Sequence, residues 1–305
     1  MVTVHEITEE TPVYKPPDSP WRVPFDGSFR IDEASTRPPE DYDRKACDER
    51  MAKLGKELRE LQSPFNALDR HSLLIVFQAM DAAGKDSTIR AVMSGVNPAG
   101  CQVFSFKKPS AEELDHDFLW RTNRSLPERG RIGVFNRSHY EEVLVVRVHP
   151  EYLAGQGLPD PTSERIWDQR FRSILEWERH LAANGTIILK FFLNVSWEKQ
   201  RKRFLKRLDD PNKHWKFNKA DCDERQHWRR YMSAYQDALN ATSRPHAPWY
   251  SIPADKKPYM QAAVCEIIVE TLRGLDLKFP HPSPEVLAEL PAIRERLLAE
   301  NEPPA

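Results

Sequence analysis

Short apolar runs alternate along the chain with longer stretches whose apolar residues recur at helical spacing. Residues 72–88 begin with the run SLLIVFQ and then turn through small residues into helix-forming sequence. Further apolar runs predict strands at residues 101–106, 131–135, 186–195 and 248–252, and helical spacing predicts helices at residues 43–61 and 165–183. Strands that alternate with helices form βαβ units, so the pattern predicts an α/β protein with three layers, a parallel β-sheet flanked by helices.

The two ends of the chain lack this alternation. Residues 1–40 are rich in proline and poor in periodic apolar residues, which predicts an extended N-terminal arm rather than a domain. Trp21, Phe25 and Phe29 could anchor this arm on the core or on a neighbouring subunit, and a disordered tail is the alternative. We therefore expect one folded domain over residues 41–280, followed by a C-terminal tail at 281–305.

The turn after the first apolar run has the outline of a phosphate-binding loop. In such a loop, backbone N–H groups and the positive end of the next helix face an anion, and a lysine, here Lys85, reaches the phosphates. The rest of the predicted cradle consists of Ala82, Ala83, Gly84 and Ser87. The match to the standard pattern is incomplete, because Ala79 replaces the first glycine and Asp86 replaces the usual serine or threonine. A plain helix start is the alternative for this segment alone.

Two more predicted strands end in groups suited to phosphate. Lys107 and Lys108 follow the second strand, and Asn136 and Arg137 follow the third. The carboxyl ends of parallel strands meet at one edge of a sheet, and ligands bind at that edge. We therefore expect these side chains to lie close to the loop.

The same edge offers four carboxylates, Asp81, Asp86, Glu141 and Glu142. The third strand ends in Asn136, which cannot neutralise a cation, so a metal would need these carboxylates. Asp81 and Asp86 are the candidates for Mg²⁺, with Mn²⁺ as the alternative ion, and Glu142 joins Asn136 as a candidate for positioning metal or nucleotide. For the two glutamates, a charged helix start favoured by the helix dipole is the alternative.

Residues 199–219 concentrate positive charge in a nearly neutral chain. The segment holds nine lysines and arginines against two aspartates, whereas the formal net charge of the whole chain is -1. On a helix capped by Ser196, Arg203 and Arg207 fall on one side. The apolar residues that we expect to pack inward are Phe204, Leu205 and Leu208. A mobile basic lid over about residues 199–221 is favoured by this placement, and a solvated basic face or a nucleic-acid patch are the alternatives.

Composition narrows the possible partners and compartment. A chain of 305 residues can bury a full core, and its four cysteines have neither zinc-site spacing nor the density of a disulfide framework. The N-terminus does not resemble a secretory leader, and apolar runs stay short of membrane-spanning length. We expect a cytoplasmic protein without nucleic-acid or membrane partners.

Five segments follow one another within about residues 40–275. They are MDAAGKDSTIRAVMSGVNP, SFKKPS, FLWRT, ERGRIGVFNRSHYEEVLVVRVHP and KRFLKRLDDPNKHWKFNKAD. Together they resemble the polyphosphate kinase type 2 family, and within it the class III polyphosphate:AMP/ADP phosphotransferases. Other classes of this family carry aspartate where this chain has Asn136.

The resemblance implies a P-loop kinase fold with a helical lid, magnesium dependence and a homo-oligomer, either a dimer or a tetramer. It implies inorganic polyphosphate as one substrate, AMP, ADP and ATP as the nucleotides, and guanine nucleotides as further acceptors. The residues that match the family's functional positions are Asp81, Lys85, Arg137, Arg203, Arg207 and Asp221. Asp221 matches the aspartate at the end of the family's lid.

The expected chemistry agrees with these residue types. Polyphosphate has no base or ribose, so lysines and arginines should bind it along a track. The candidates for that track are Lys107, Lys108, Arg203 and Arg207. Because a phosphate oxygen of the acceptor is already anionic, transfer needs alignment and charge cancellation rather than a general base, and Lys85 and Arg137 are the candidates. An ATP-dependent nucleoside monophosphate kinase and a non-catalytic polyanion-binding module are the alternatives.

Overall fold

The computed structural model describes residues 14–216 and 218–300, apart from the side chains of Lys213 and Lys216. The strands, in chain order, are β1 (Ser72–Gln78), β2 (Cys101–Ser105), β3 (Ile132–Asn136), β4 (Thr186–Asn194) and β5 (Trp249–Pro253). The helices are α1 (Arg44–Leu68), α2 (Lys85–Val92), α3 (Ala111–Leu114), α4 (Trp120–Asn123), α5 (Val145–Val148), α6 (Ile166–Ala183), α7 (Trp197–Leu208), α8 (Lys219–Asp223), α9 (Trp228–Thr242), α10 (Lys257–Arg273) and α11 (Pro284–Ala299).

The five strands form one parallel sheet in the order β2-β3-β1-β4-β5. Helices flank the sheet in two groups, with α1, α2 and α10 packed together in one and α5, α6 and α9 in the other. All seven residues of the central strand β1 are buried, as expected for a parallel strand covered on both faces. The predicted three-layer α/β fold is confirmed, and the predicted strand positions agree with the structure to within two residues.

The N-terminal arm packs on the sheet from Tyr14 onward. The Tyr14 hydroxyl donates a hydrogen bond of 2.8 Å to the Ile188 carbonyl. The Val23 amide donates to the Trp249 carbonyl over 2.9 Å, so the arm runs along the edge strand β5. Trp21 packs against the core as predicted. For the described part of the arm, the disordered-tail alternative is therefore wrong; the residues before Tyr14 lie outside the described part.

The segment that we expect to be a C-terminal tail contains a helix. Within that segment, α11 is a helix of 16 residues. Ser283 caps it, since its hydroxyl accepts a hydrogen bond of 3.4 Å from the Val286 amide. Pro284 occupies the first position of the helix, where its missing N–H group costs nothing.

The basic segment forms α7, a 3-10 turn at Pro211–Lys216, and α8. Ser196 caps α7 as predicted, accepting 3.1 Å from the Lys199 amide. Phe204 packs inward, but Leu205 and Leu208 are 50% and 43% exposed, so their predicted burial is wrong. The buried line on α7 consists of Gln200 and Phe204 and ends one turn before Leu208.

Within the described residues, no helix combines the length and apolar character that crossing a membrane requires.

Candidate phosphoryl-transfer site

The loop after β1 turns sharply through two residues in left-handed backbone conformation. Ala82 has a φ of 59° and Gly84 a φ of 113°. A side chain at Gly84 would also approach the Met260 Cε to 3.2 Å, so glycine suits this position for two reasons. The helix α2 begins immediately after the loop, at Lys85. The backbone N–H groups of the first turn of α2 therefore point toward the loop, where they can bind an anion.

Lys85 lies in the loop and is nearly buried, with 9% of its surface exposed. Its ammonium donates a hydrogen bond of 2.7 Å to the Ala79 carbonyl. Burial lowers the pKa of Lys85, and the nearby Asp81 carboxylate opposes that shift. The fold thus holds this cation at a fixed position in the loop.

Arg137 brings a second cation to the loop from the end of β3. Its Nη2 lies 3.0 Å from the Asp81 Oδ1, and its amide donates to the Phe77 carbonyl of β1 over 3.1 Å. Glu141 and then Asp81 raise the pKa of Arg137 against the effect of burial. Arg137 has a φ of 63°, which is costly for a residue with a side chain and indicates a position imposed by its surroundings.

The consecutive glutamates after Arg137 point to different places. Burial raises the pKa of Glu141, and the charges of Arg137 and Lys85 oppose that shift. Glu141 therefore lies near these two cations of the loop. Glu142 instead accepts 2.8 Å from the Gln156 Nε2. The two residues sit on the 3-10 turn His139–Val143, where each residue rotates by about a third of a turn. The sequence identified both glutamates but not which of them faces the loop.

The lid contacts the loop through Gln200 and Arg203. The Gln200 Nε2 donates 2.8 Å to the Asp81 carbonyl. The Arg203 guanidinium donates to the carbonyls of Ala82, at 3.0 Å, and Ala83. It also donates 2.6 Å to the carbonyl of residue 254. Arg203, which the charge pattern predicts to bind polyphosphate, therefore holds loop carbonyls in this structure.

The far end of the lid also reaches the centre. Arg207 Nη1 lies 3.6 Å from the Asp221 carboxylate on α8. Burial raises the pKa of Asp221, and the charge of Asp81 adds to that shift. Asp221 is thus close enough to the loop for the two carboxylates to interact.

The other predicted residues surround this centre. The Asn136 Nδ2 donates 2.7 Å to the Asp86 carboxylate, which connects the end of β3 with α2. The Ser87 hydroxyl donates 2.9 Å to the Gly84 carbonyl. Lys107 and Lys108 are exposed at the end of β2.

A cavity of about 280 Å³ lies beside the ends of β2 and β3. Its wall includes Glu142, Phe118, Arg121 and Arg170. The Arg170 guanidinium carbon lies 4.3 Å from the centre of the Phe118 ring. Arg121 donates 2.8 Å to the Lys107 carbonyl, so the cavity adjoins the exposed lysines of the strand edge. Sequence reasoning missed Phe118, Arg121 and Arg170. The FLWRT segment contains the first two, whereas Arg170 lies on α6, outside the segments that resemble the family.

The loop carboxylates fit one kind of metal site. Among the described residues, no three histidine, cysteine, aspartate or glutamate side chains gather to hold an ion. Asp81 and Asp86 supply two carboxylates on or next to the loop. Mg²⁺ is usually held by one or two carboxylates together with substrate phosphates and water, and this donor set suits that mode rather than a closed protein cage.

The fold and the loop together define the class of protein. A parallel sheet whose central strand leads into a lysine-bearing phosphate loop and a helix is a P-loop kinase fold. The chain belongs to the polyphosphate kinase 2 family, whose sequence model, "Polyphosphate kinase 2 (PPK2)", matches residues 41–280.

Named relatives and a solved structure agree with this assignment. An "ADP-polyphosphate phosphotransferase" of Rhodopseudomonas palustris is 54% identical over 245 residues, which cover 80% of this chain and 85% of the relative. An "AMP/ADP-polyphosphate phosphotransferase" of Meiothermus ruber is 44% identical over 264 residues, 86% of this chain and 95% of the relative. The crystal structure of polyphosphate kinase 2 from Arthrobacter aurescens TC1 superposes with a TM-score of 0.83 at 36% identity, covering 90% of this chain and 95% of that one.

Proposed function

We propose that this protein transfers the terminal phosphoryl group of inorganic polyphosphate to ADP and to AMP. The observation that carries the proposal is the convergence of Lys85 and Arg137 on one loop beneath a strongly basic lid. The names of the two relatives give polyphosphate as their substrate, and one of them adds AMP to ADP. An enzyme that brings two polyanions together needs this surplus of fixed positive charge.

The residues of the loop suit direct in-line transfer. A phosphate oxygen of the acceptor attacks the terminal phosphorus of the donor, and the bond from that phosphorus to the bridging oxygen breaks. The shortened polyphosphate leaves with the electron pair of that bond. Lys85 and Arg137 would stabilise the charge on the transferring group, while the loop N–H groups would hold its oxygens. The attacking oxygen is already deprotonated, so this scheme requires no general base.

Magnesium belongs to the proposal as a cofactor. Asp81 and Asp86 would hold the ion, and substrate phosphates would complete its coordination. When bound, Mg²⁺ would neutralise phosphate charge beside an otherwise acidic loop. Asp81 must then divide its interactions between the ion and Arg137, which lies 3.0 Å away.

We infer that the nucleotide acceptor occupies the cavity beside β2 and β3. The cavity places an aromatic ring, Phe118, beside two arginines, Arg121 and Arg170, as expected for a base and its phosphates. Arg170 lies over the Phe118 ring, so a base would stack on the opposite face. The wall also carries the carboxylates of Glu113, Asp115, Asp117 and Glu142. Glu142 lies in its wall, which supports the predicted nucleotide-positioning role of that residue. The donor would then bind on the lid side of the loop.

The acceptor assignment can be tested with Phe118→Ala. Loss of the aromatic face should raise the acceptor KM about tenfold, because one stacking contact contributes about 1–3 kcal/mol, and it should leave the polyphosphate KM within twofold. Phe25→Ala, a half-exposed aromatic in the arm, is the control. Equal increases in both KM values would place the acceptor elsewhere.

One assay tests the function itself. The protein is incubated with Mg²⁺, polyphosphate and either AMP or ADP, and the nucleotides are separated over time. We expect ADP to become ATP and AMP to become ADP, with ATP a poor donor to AMP. Robust ATP-driven phosphorylation of AMP without a response to polyphosphate would establish a nucleoside monophosphate kinase instead. Polyphosphate binding without turnover would establish the polyanion-binding module.

Several finer expectations stay predictions. They are the reverse synthesis of polyphosphate, guanine nucleotides as acceptors, Mn²⁺ as a substitute ion, a cytoplasmic location, and a dimer or tetramer.

A further inference from the structure

The helix α11 exposes a stripe of large apolar side chains. Their exposed fractions lie between 38% and 63%, and they belong to Val286, Leu287, Leu290, Ile293, Leu297 and Leu298. Every residue of α11 is exposed. Among the described residues, its hydrogen bonds and ion pairs stay within the helix and its cap. The stripe is therefore uncovered by the described part of the chain.

A helix of this kind needs a covering surface. Isolated helices of about 15 residues are marginal in water, and packing of an apolar face supplies most helical stability in proteins. Pro291 lies inside α11 and weakens it further, since proline removes one backbone hydrogen bond. A stripe of six exposed large apolar side chains on one helix indicates an interaction surface.

The spacing of the stripe is that of a coiled-coil seam. Val286, Leu290, Ile293 and Leu297 are separated by four, three and four residues, which places them at heptad positions d, a, d and a. Pro291 then falls at position b, on the outer side of the helix, where its ring would not meet a partner helix.

The charges beside the seam are complementary to those of a second copy. Glu289 occupies position g and Arg294 position e. In a parallel pair of helices, each g residue faces the e residue five positions later on the other helix. Glu289 would therefore meet the partner subunit's Arg294, and the rotational symmetry of a parallel assembly would form the same pair between every two neighbouring helices. This self-complementarity indicates another copy of this chain as the occupant.

We propose that α11 is a self-association element, in which α11 helices of separate copies pack in parallel along the seam of Val286, Leu290, Ile293 and Leu297. Leucine at a with β-branched residues at d favours three or four helices over two. Two heptads make a short seam, so the assembly should dissociate on dilution. The proposal concerns a helix beyond the segment that matches the family, and it does not depend on the proposed activity.

The full-length chain and two double variants test the seam. Leu290→Glu with Ile293→Glu places two carboxylates in the seam, whereas Ala288→Glu with Ala292→Glu adds the same charge on the outer side. Molar mass is measured by light scattering over a concentration series, and thermal unfolding checks that the wild type and both variants are folded. We expect a shared oligomeric mass for the wild type and the outer variant, and a smaller mass for the seam variant. A wild type that is monomeric throughout would overturn the proposal, as would equal behaviour of the two variants.

A charge exchange tests the pairing. Glu289→Arg should shift dissociation to higher protein concentration, because it puts like charges opposite each other. Adding Arg294→Glu should restore the wild-type midpoint. If the second substitution fails to restore it, the parallel pairing is wrong.

Discussion

The loop and the lid both carry positive charge, but the fold holds the cations of the two regions very differently. Lys85 is nearly buried and hydrogen-bonded to a backbone carbonyl, and Arg137 is paired with Asp81. In the lid, Lys202 and Lys206 are exposed. A charge in a water-excluded site acts more strongly on its neighbours than a charge in solvent, which salt can screen. The loop should therefore determine turnover, and the lid the capture of the donor.

One lid residue behaves like a loop residue. Arg203 belongs to the basic segment by sequence, yet its guanidinium donates hydrogen bonds to the loop carbonyls of Ala82 and Ala83. Burial lowers the pKa of Arg203. The boundary between the two regions thus runs within α7, after its second turn, rather than between the loop and the lid.

The largest effect should come from Lys85→Ala. The variant removes the buried cation that we propose stabilises the transferring phosphoryl group, so turnover should fall about a hundredfold or more while the protein stays folded. Steady-state rates with polyphosphate and ADP measure the turnover, and a thermal melt shows whether the variant is folded. Lys56→Ala on the exposed side of α1 loses the same charge and should keep wild-type turnover. A folded Lys85→Ala protein with normal turnover would reduce the loop to a structural role.

Arg203→Ala should have the next largest effect. It leaves backbone carbonyls of the loop without their donor, and an unpaired buried polar group costs about 1–3 kcal/mol. Because the loop then loses its fixed shape, turnover should fall about tenfold, and the loss should be independent of ionic strength. Arg203→Lys keeps the charge but cannot reach the same set of carbonyls, so it should resemble the alanine variant. A lysine variant with wild-type turnover would show that only the charge of Arg203 matters.

The sequence predicted the sheet because its signals are local. The run SLLIVFQ is apolar throughout, as a strand covered on both faces must be, and the small residues before Lys85 permit a tight turn. The basic segment was visible as an excess of charge. Each of these features depends on residue types within a few positions of each other.

The directions of individual side chains could not be predicted in this way. Arg203 finds its carbonyl partners about 120 and 50 residues away in the chain. Glu141 and Glu142 are equivalent in type and differ only in the rotation of one 3-10 turn. The stripe of α11 follows helical spacing, but its residues lie beyond the segments that resemble the family, so the resemblance predicts nothing about them. Long-range contacts decide such cases, and only the folded chain supplies them.

The smallest effect should come from Arg207→Ala, which lies in the lid beyond Arg203. Arg207→Ala removes a cation that is 20% exposed and forms an ion pair with Asp221 on α8. We expect the polyphosphate KM to rise about threefold with little change in turnover, because one contact between a partly solvated cation and a phosphate contributes only about 0.2–1 kcal/mol. The increase should shrink at high salt, where screening already weakens the wild-type contact.

Arg201→Ala is the control. It causes the same change in net charge on another side of α7, and it should leave the donor KM near the wild-type value. If Arg201→Ala raised the KM equally, the lid would act through its total charge. If Arg207→Ala lowered turnover at all salt concentrations, the boundary between loop and lid would lie further along α7 than Arg203.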